Sequence, residues 1–167
     1  ATISGGSLNL PGGGTRANCG VINGITNTLN ANASLTIEAW LTVNAVNNWS
    51  KGWMFGTPDG DATLRSYIDF TPRAGADGNV PSMSIDTTTT TEANSRVGSN
   101  PPPWVAGRKY HAICIYDAGT DTMSMYLNGV LADSAPMEGR TIAAMNSTEA
   151  YLGAAVFYGD ADLNGSF

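Results

Sequence analysis

Apolar and polar side chains alternate along short stretches of this chain, and each stretch is bounded by Gly, Asn or Pro. Alternation with a period of two marks a strand with one wet and one dry face, whereas a helix repeats every 3.6 residues. From Ser34 to Val43 the run SLTIEAWLTV places Leu35, Ile37, Ala39, Leu41 and Val43 on one face, with Thr36, Glu38, Trp40 and Thr42 on the other. From Arg108 to Tyr116, RKYHAICIY sets Tyr110, Ala112, Cys114 and Tyr116 against His111, Ile113 and Ile115. Both faces of that second stretch are mostly apolar, as in a strand deep within two layers. Helical periodicity is nearly absent.

The next stretch predicts a meander. Asp117 to Asp121 supplies turn residues, and Met123, Met125 and Leu127 then alternate along Thr122 to Leu127. Asn128-Gly129 follows, a pair that accepts the two positive φ angles of a type I′ hairpin, and Val130 to Ala132 begins the return strand. Shorter strands are expected over Trp53 to Phe55, Ser66 to Phe70, Met83 to Ile85 and Tyr151 to Phe157. The threonine run from Asp86 to Thr91 reads as an exposed strand or its end. Many short strands, no internal repeat and no dividing linker predict an all-β fold: one domain over residues 1–167, built as an antiparallel two-sheet β-sandwich.

Composition narrows the class. Charged residues make up only 13% of the chain, too few for the solvated faces of a helical bundle, while Thr, Asn and Ser fill their place. That balance is typical of a secreted or cell-surface β protein. The net charge is −6 and the only lysines are Lys51 and Lys109, which excludes nucleic acid and anionic membranes as partners. No run approaches the roughly 20 apolar residues that insertion into a membrane requires. Cys19 and Cys114 lie far apart without a CxxC partner, so no zinc motif exists; one long-loop disulfide and two buried thiols both remain open.

Six segments recur in a familiar order: SLNLPGG (Ser7 to Gly13), SLTIEAWLTV, KYHAICIYD (Lys109 to Asp117), MYLNGVL (Met125 to Leu131), YLGAA (Tyr151 to Ala155) and LNGSF (Leu163 to Phe167). Together they resemble the bacterial form of the laminin-G-like, concanavalin A-like lectin/glucanase jelly roll. The resemblance implies a non-catalytic carbohydrate- or glycoconjugate-binding or adhesion module, with a glycan or glycoprotein as its ligand. Lys109 stands where the family usually carries Trp. Such domains usually open with a strand before the SLNL segment and close with one that runs past the NGS segment. The absence of both here predicts an exposed sheet edge, in a piece of a longer polypeptide or in a subunit that self-associates by taking a neighbour's strand. A structural, self-assembling subunit is therefore one alternative, and a glycoside hydrolase or lyase of the same fold is another.

The residues argue against catalysis. A retaining glycosidase needs two carboxyls about 5–5.5 Å apart, commonly from alternate strand positions, but Glu38 is the sole acid in its strand, while Asp59 and Asp61 lie in a Gly-Pro-rich loop. The single histidine, His111, is expected to be a packed strand residue, and Cys114, three positions away, points to the opposite face. For a metal, Asp160, Asp162 and Asn164 followed by Gly165 match the first half of a Ca2+ loop, without its later bidentate glutamate. Sugars are held by aromatic rings and planar polar groups. Trp49 and Trp104 fall in predicted loops, and Arg73 and Asn48 nearby are candidates for contacts to sugar hydroxyls. Trp40 and Trp53 are on strands and are expected in the core, where Trp40→Ala would cost about 3–5 kcal/mol.

Overall fold

The computed structural model describes residues 1–19, 23–57, 66–75, 78–87, 95–97, 101–156 and 159–167. Its strands form two antiparallel sheets. One has seven strands, in the spatial order β1 (Thr2–Ser4), β2 (Ser7–Pro11), β13 (Asn164–Ser166), β4 (Leu35–Ala45), β9 (Lys109–Asp117), β10 (Thr122–Leu127) and β11 (Val130–Pro136). The other has six, in the order β3 (Ala17–Asn18), β12 (Glu149–Leu152), β5 (Trp53–Thr57), β6 (Ser66–Ala74), β7 (Val80–Asp86) and β8 (Ser95–Val97). This is the two-sheet antiparallel sandwich that the alternation predicts, in the jelly-roll form that the resemblance implies. Asn128 and Gly129 take φ angles of 53° and 80°, as the I′ hairpin between β10 and β11 requires.

The core lies between the sheets and is built from the inward residue of each alternating pair. Leu41 and Val43 of β4 meet Tyr110, Ala112, Cys114 and Tyr116 of β9, and Met123 and Met125 of β10 add to them. From the facing sheet come Trp53 and Phe55 of β5, Ile68 and Phe70 of β6, and Met83 and Ile85 of β7. Trp53 stacks on Phe70 with ring centroids 4.7 Å apart. Cys114 is buried and Cys19 half-buried, and both are free thiols.

Four expectations need correction. Trp40 is not in the core: it is 53% exposed on the outer face of the seven-stranded sheet, where it stacks on His111 at 4.5 Å. Its place follows from the alternation, which puts it beside Thr36, Glu38 and Thr42, and aromatic size had outweighed that pattern. A helix does occur, α1 (Asn23–Ala31), where Leu29 is buried and Ile25 packs against the core. Two inward residues in nine are too few to register as a helical period. The strand before SLNL is present as β1, paired with β2. Finally, the strand expected from Tyr151 to Phe157 spans Glu149–Leu152, because Gly153 turns the chain at φ 80°. The threonine run beyond Thr87 lies outside the described residues.

Candidate functional site

On the six-stranded sheet the outward residues are also buried, which is unusual for a face turned away from the core. Met54 of β5, Tyr67 of β6 and Tyr151 of β12 form a second apolar cluster with Ala154, Ala155 and Val156 of the segment after β12. Beside them on the same face are Asp69 and Thr71 of β6 and Ser82, Ser84 and Asp86 of β7, all buried polar groups. Buried polar groups persist only when hydrogen-bonded or paired. Here Lys51 does much of that pairing. It is 2% exposed, and its ammonium lies 2.6 Å from Asp69 and 3.2 Å from Asp160. Burial by itself would lower the Lys51 pKa, but the two carboxylates outweigh it and raise the pKa above the usual 10.5. Ser84 donates its hydroxyl to the other oxygen of Asp69.

At the β12 end of this face lies a pocket of about 460 Å³ lined by Arg16, Glu149, Tyr151, Ala154, Asp160 and Asp162, among others. The register Asn18 to Tyr151 brings Arg16, two residues before Asn18, to the same face, and its guanidinium sits 4.7 Å over the Tyr151 ring. Among the described residues Arg16 makes no hydrogen bond or ion pair. The pocket's carboxylates, in contrast, are engaged. Glu149 acts on the Tyr151 hydroxyl, whose pKa is raised by burial and then by that carboxylate. Asp160 is paired with Lys51, and Asp162 accepts the backbone N–H of Gly14. Among the described residues, what remains unspent is a planar fork of cationic N–H donors beside an apolar wall.

The structure brings some of the expected site residues together and separates others. Trp49, Asn48 and Arg73 do share one neighbourhood. The Trp49 N–H donates to the Arg73 carbonyl at 2.8 Å, and Asn48 lies against Gly75. Arg73, however, donates to Asn79 Oδ1 and to the Val46 carbonyl, so it braces the loop. Trp49 is half-buried, and the Lys51 ammonium lies 5.2 Å from its ring, which links it to the Asp160 side of the pocket. Trp104 does not join them. It is 5% exposed, edge-on to Phe70 at 5.8 Å and against Tyr110 at 4.1 Å, so its apolar body plugs the core despite its polar loop. The Ca2+ pattern is not assembled either. Asp160 turns to Lys51, Asp162 to Gly14, and Asn164 accepts from Asn44 Nδ2 at 3.3 Å, so the three side chains serve three different partners. No cluster of three or more His, Cys, Asp or Glu suited to a metal occurs among the described residues. Asp59 and Asp61 lie outside them.

Sequence reasoning missed Arg16 and Tyr151. Neither falls in a motif, and only the pairing of a two-residue strand with β12 places them together. It also missed the outer face of the seven-stranded sheet, where Glu38 Oε1 lies 2.7 Å from His111 Nε2 beside exposed Trp40. Cys114 faces the core from the same strand, away from that pair.

A family profile described as the concanavalin A-like lectin/glucanases superfamily (Laminin_G_3) matches residues 17–167. The chain belongs to this superfamily. Among solved structures with the superfamily's jelly roll, the Ruminococcus gnavus IT-sialidase CBM40 bound to alpha2,3 sialyllactose superimposes with a TM-score of 0.73 at 15% identity, covering 96% of this chain and 85% of that one. The same CBM40 bound to alpha2,6 sialyllactose gives 0.72 at 15% identity, with 96% and 85% covered. Domain 4 of AbnA, a GH43 extracellular arabinanase from Geobacillus stearothermophilus in complex with arabinotriose, gives 0.59 at 16% identity, covering 96% of this chain and 63% of that one. No curated protein matches the sequence. At these identities the likeness establishes the fold. No helix among the described residues is long and apolar enough to cross a membrane.

Proposed function

We propose that this chain is a non-catalytic carbohydrate-binding module of a secreted or cell-surface protein, and that it takes a glycan with a carboxylate-bearing sugar at Arg16 and Tyr151. The observation that carries the reading is the Arg16 guanidinium lying over the Tyr151 ring at 4.7 Å, with no hydrogen bond or ion pair among the described residues. A planar guanidinium seated over an aromatic ring is restricted in its motion, so less side-chain entropy is lost when it forks onto a carboxylate. Ala154, Ala155 and Val156 supply an apolar wall for the sugar's C–H groups. Sialyllactose, the ligand of the CBM40 structures, carries such a carboxylate and agrees with this chemistry. Binding rather than hydrolysis fits because Glu149, Asp160 and Asp162 are each held by another group of the protein, and none is left as a free acid or nucleophile.

One observation favours a second reading. Three carboxylates against one guanidinium line the pocket, a balance that suits neutral sugars, and the AbnA domain was solved with arabinotriose. A glycan array carrying sialylated and neutral oligosaccharides separates the two. The first reading predicts sialylated hits that Arg16→Ala weakens at least about tenfold, the scale of one charged hydrogen-bonded contact. Neutral hits alone would favour the second. Hits indifferent to Arg16→Ala would remove the site assignment, and an array without hits would remove the function.

A further inference from the structure

We infer that the cleft between the loop ahead of β9 and the β10–β11 hairpin binds a small amphiphilic anion, a carboxylate on an apolar tail. Exposed apolar side chains gather there. Among the described residues five large hydrophobic side chains are exposed, and three of them line this one cleft: Val105 at 53%, Val130 at 69% and Leu131 at 51%. Its volume is about 390 Å³, and the triple proline at 101–103 completes the loop wall. Tyr110 and Leu127, both buried, reach it from β9 and β10. Single apolar residues are ordinary on a surface, but a contiguous group around a concavity marks a binding site.

Charge selects the occupant. Arg108 lines the cleft, with its guanidinium 5.2 Å from the centre of the Tyr110 ring. Among the described residues its side chain makes no hydrogen bond or ion pair, and no acidic residue lines the cleft. In a chain of net charge −6 this is a local positive site. A neutral apolar ligand leaves the guanidinium unused and a cation is repelled by it, whereas a carboxylate accepts two of its N–H groups. Both walls are pinned by hydrogen bonds, so the cleft is formed before a ligand arrives. On the loop side the Gly107 N–H donates to the Val43 carbonyl at 2.8 Å and the Val105 N–H to the Tyr110 hydroxyl at 3.2 Å. On the hairpin side the Asn128 N–H donates to the His111 carbonyl at 2.8 Å, and Asn128 Oδ1 accepts the His111 N–H at 3.0 Å. Ligand cavities run from roughly 300 to 1,000 Å³, so the volume suits one short tail and not a folded partner. The sugar pocket is lined by Glu149, Asp160 and Asp162 as well as Arg16, so the two sites differ in charge and in ligand.

The probe is octanoate, titrated to millimolar concentration into the full 167-residue chain, with amide-resolved NMR shifts as the readout. The expected shifts fall on Val105, Arg108, Leu127 and residues 130–132. Hexanoate should bind at least about fivefold more weakly, since each fully buried methylene is worth about fourfold. Octanol has the same tail without the charge and should bind at least about tenfold more weakly than octanoate, as should octanoate on Arg108→Ala. Val130→Ser should weaken octanoate and octanol alike. Both substitutions are at exposed positions, so an unchanged melting temperature checks that the fold is kept. No shifts, shifts scattered over the surface, octanol binding as tightly as octanoate, or binding that Arg108→Ala leaves intact would each overturn the proposal. A dimer in light scattering that Leu131→Asp dissociates would assign the cleft to a second copy and overturn it as well. None of these outcomes bears on glycan binding, which is read with sugars at Arg16 and Tyr151.

Discussion

Two tryptophans on strands have opposite fates, and the difference is measurable. Trp53 is fully buried and stacked on Phe70, so Trp53→Ala should cost about 3–5 kcal/mol in a urea melt through the cavity it leaves. Trp40 stands on the solvent face, and Trp40→Ala should cost less than about 1.5 kcal/mol, the scale of losing one aromatic pair. Equal costs would place Trp40 in the core after all. At Lys51, replacement by Met strips the buried Asp69 of its counter-charge and should cost about 3–5 kcal/mol, part of which Asp69→Asn restores in the double variant. The same region fixes the alkaline limit. Burial, then Asp69, raises the Cys114 pKa well above 9.0, and burial, then Cys114 and Asp69, raises that of Tyr116 well above 10.0. The Lys51 pKa is raised above 10.5. All three groups hold their protons longer folded than unfolded, so the unfolded state binds fewer protons and stability falls as pH rises. Urea midpoints should decline from about pH 9 upward and steepen above 10; a flat profile to pH 11 would contradict the burial of these groups.

Among the elements, the strands were the legible part. β4, β9 and β10 announce themselves because alternation over six or more residues is hard to produce by chance and because each has one dry face. β1, β3 and β13 have two or three residues each, below any period, and exist because their neighbours offer backbone partners. α1 escaped notice for the related reason that only Ile25 and Leu29 mark its inner side. The segment after β12 depends on a glycine. Gly153 has φ 80°, donates to the Gly52 carbonyl and accepts from Leu163, and a Cβ there would meet Leu10 Cδ1 at 2.4 Å. Gly153→Ala should therefore cost at least about 2 kcal/mol and loosen the wall at Ala154–Val156. Hydrogen exchange that is unchanged in this segment would show that the turn does not hold the wall.

Over the whole molecule, fold and site differ in how they are written. A sandwich is encoded redundantly by many alternating positions, and six ordered segments sufficed to suggest its family. The site is encoded by proximity. Arg16 meets Tyr151 across 135 positions of sequence because a two-residue strand pairs with β12. The loop tryptophans, chosen by residue type, divided between a half-buried place beside Lys51 at Trp49 and the core at Trp104. Their polar neighbours gave no sign of which way each ring would turn. The central claim is that the outward face of the six-stranded sheet holds an acidic sugar at Arg16. An amide-resolved NMR titration with sialyllactose tests it most directly. The account predicts shifts confined to Arg16, Tyr151 and Ala154–Val156, abolished in Arg16→Ala, with the Trp40 face silent. Shifts centred on Trp40 and His111, or none at millimolar sugar, would contradict it.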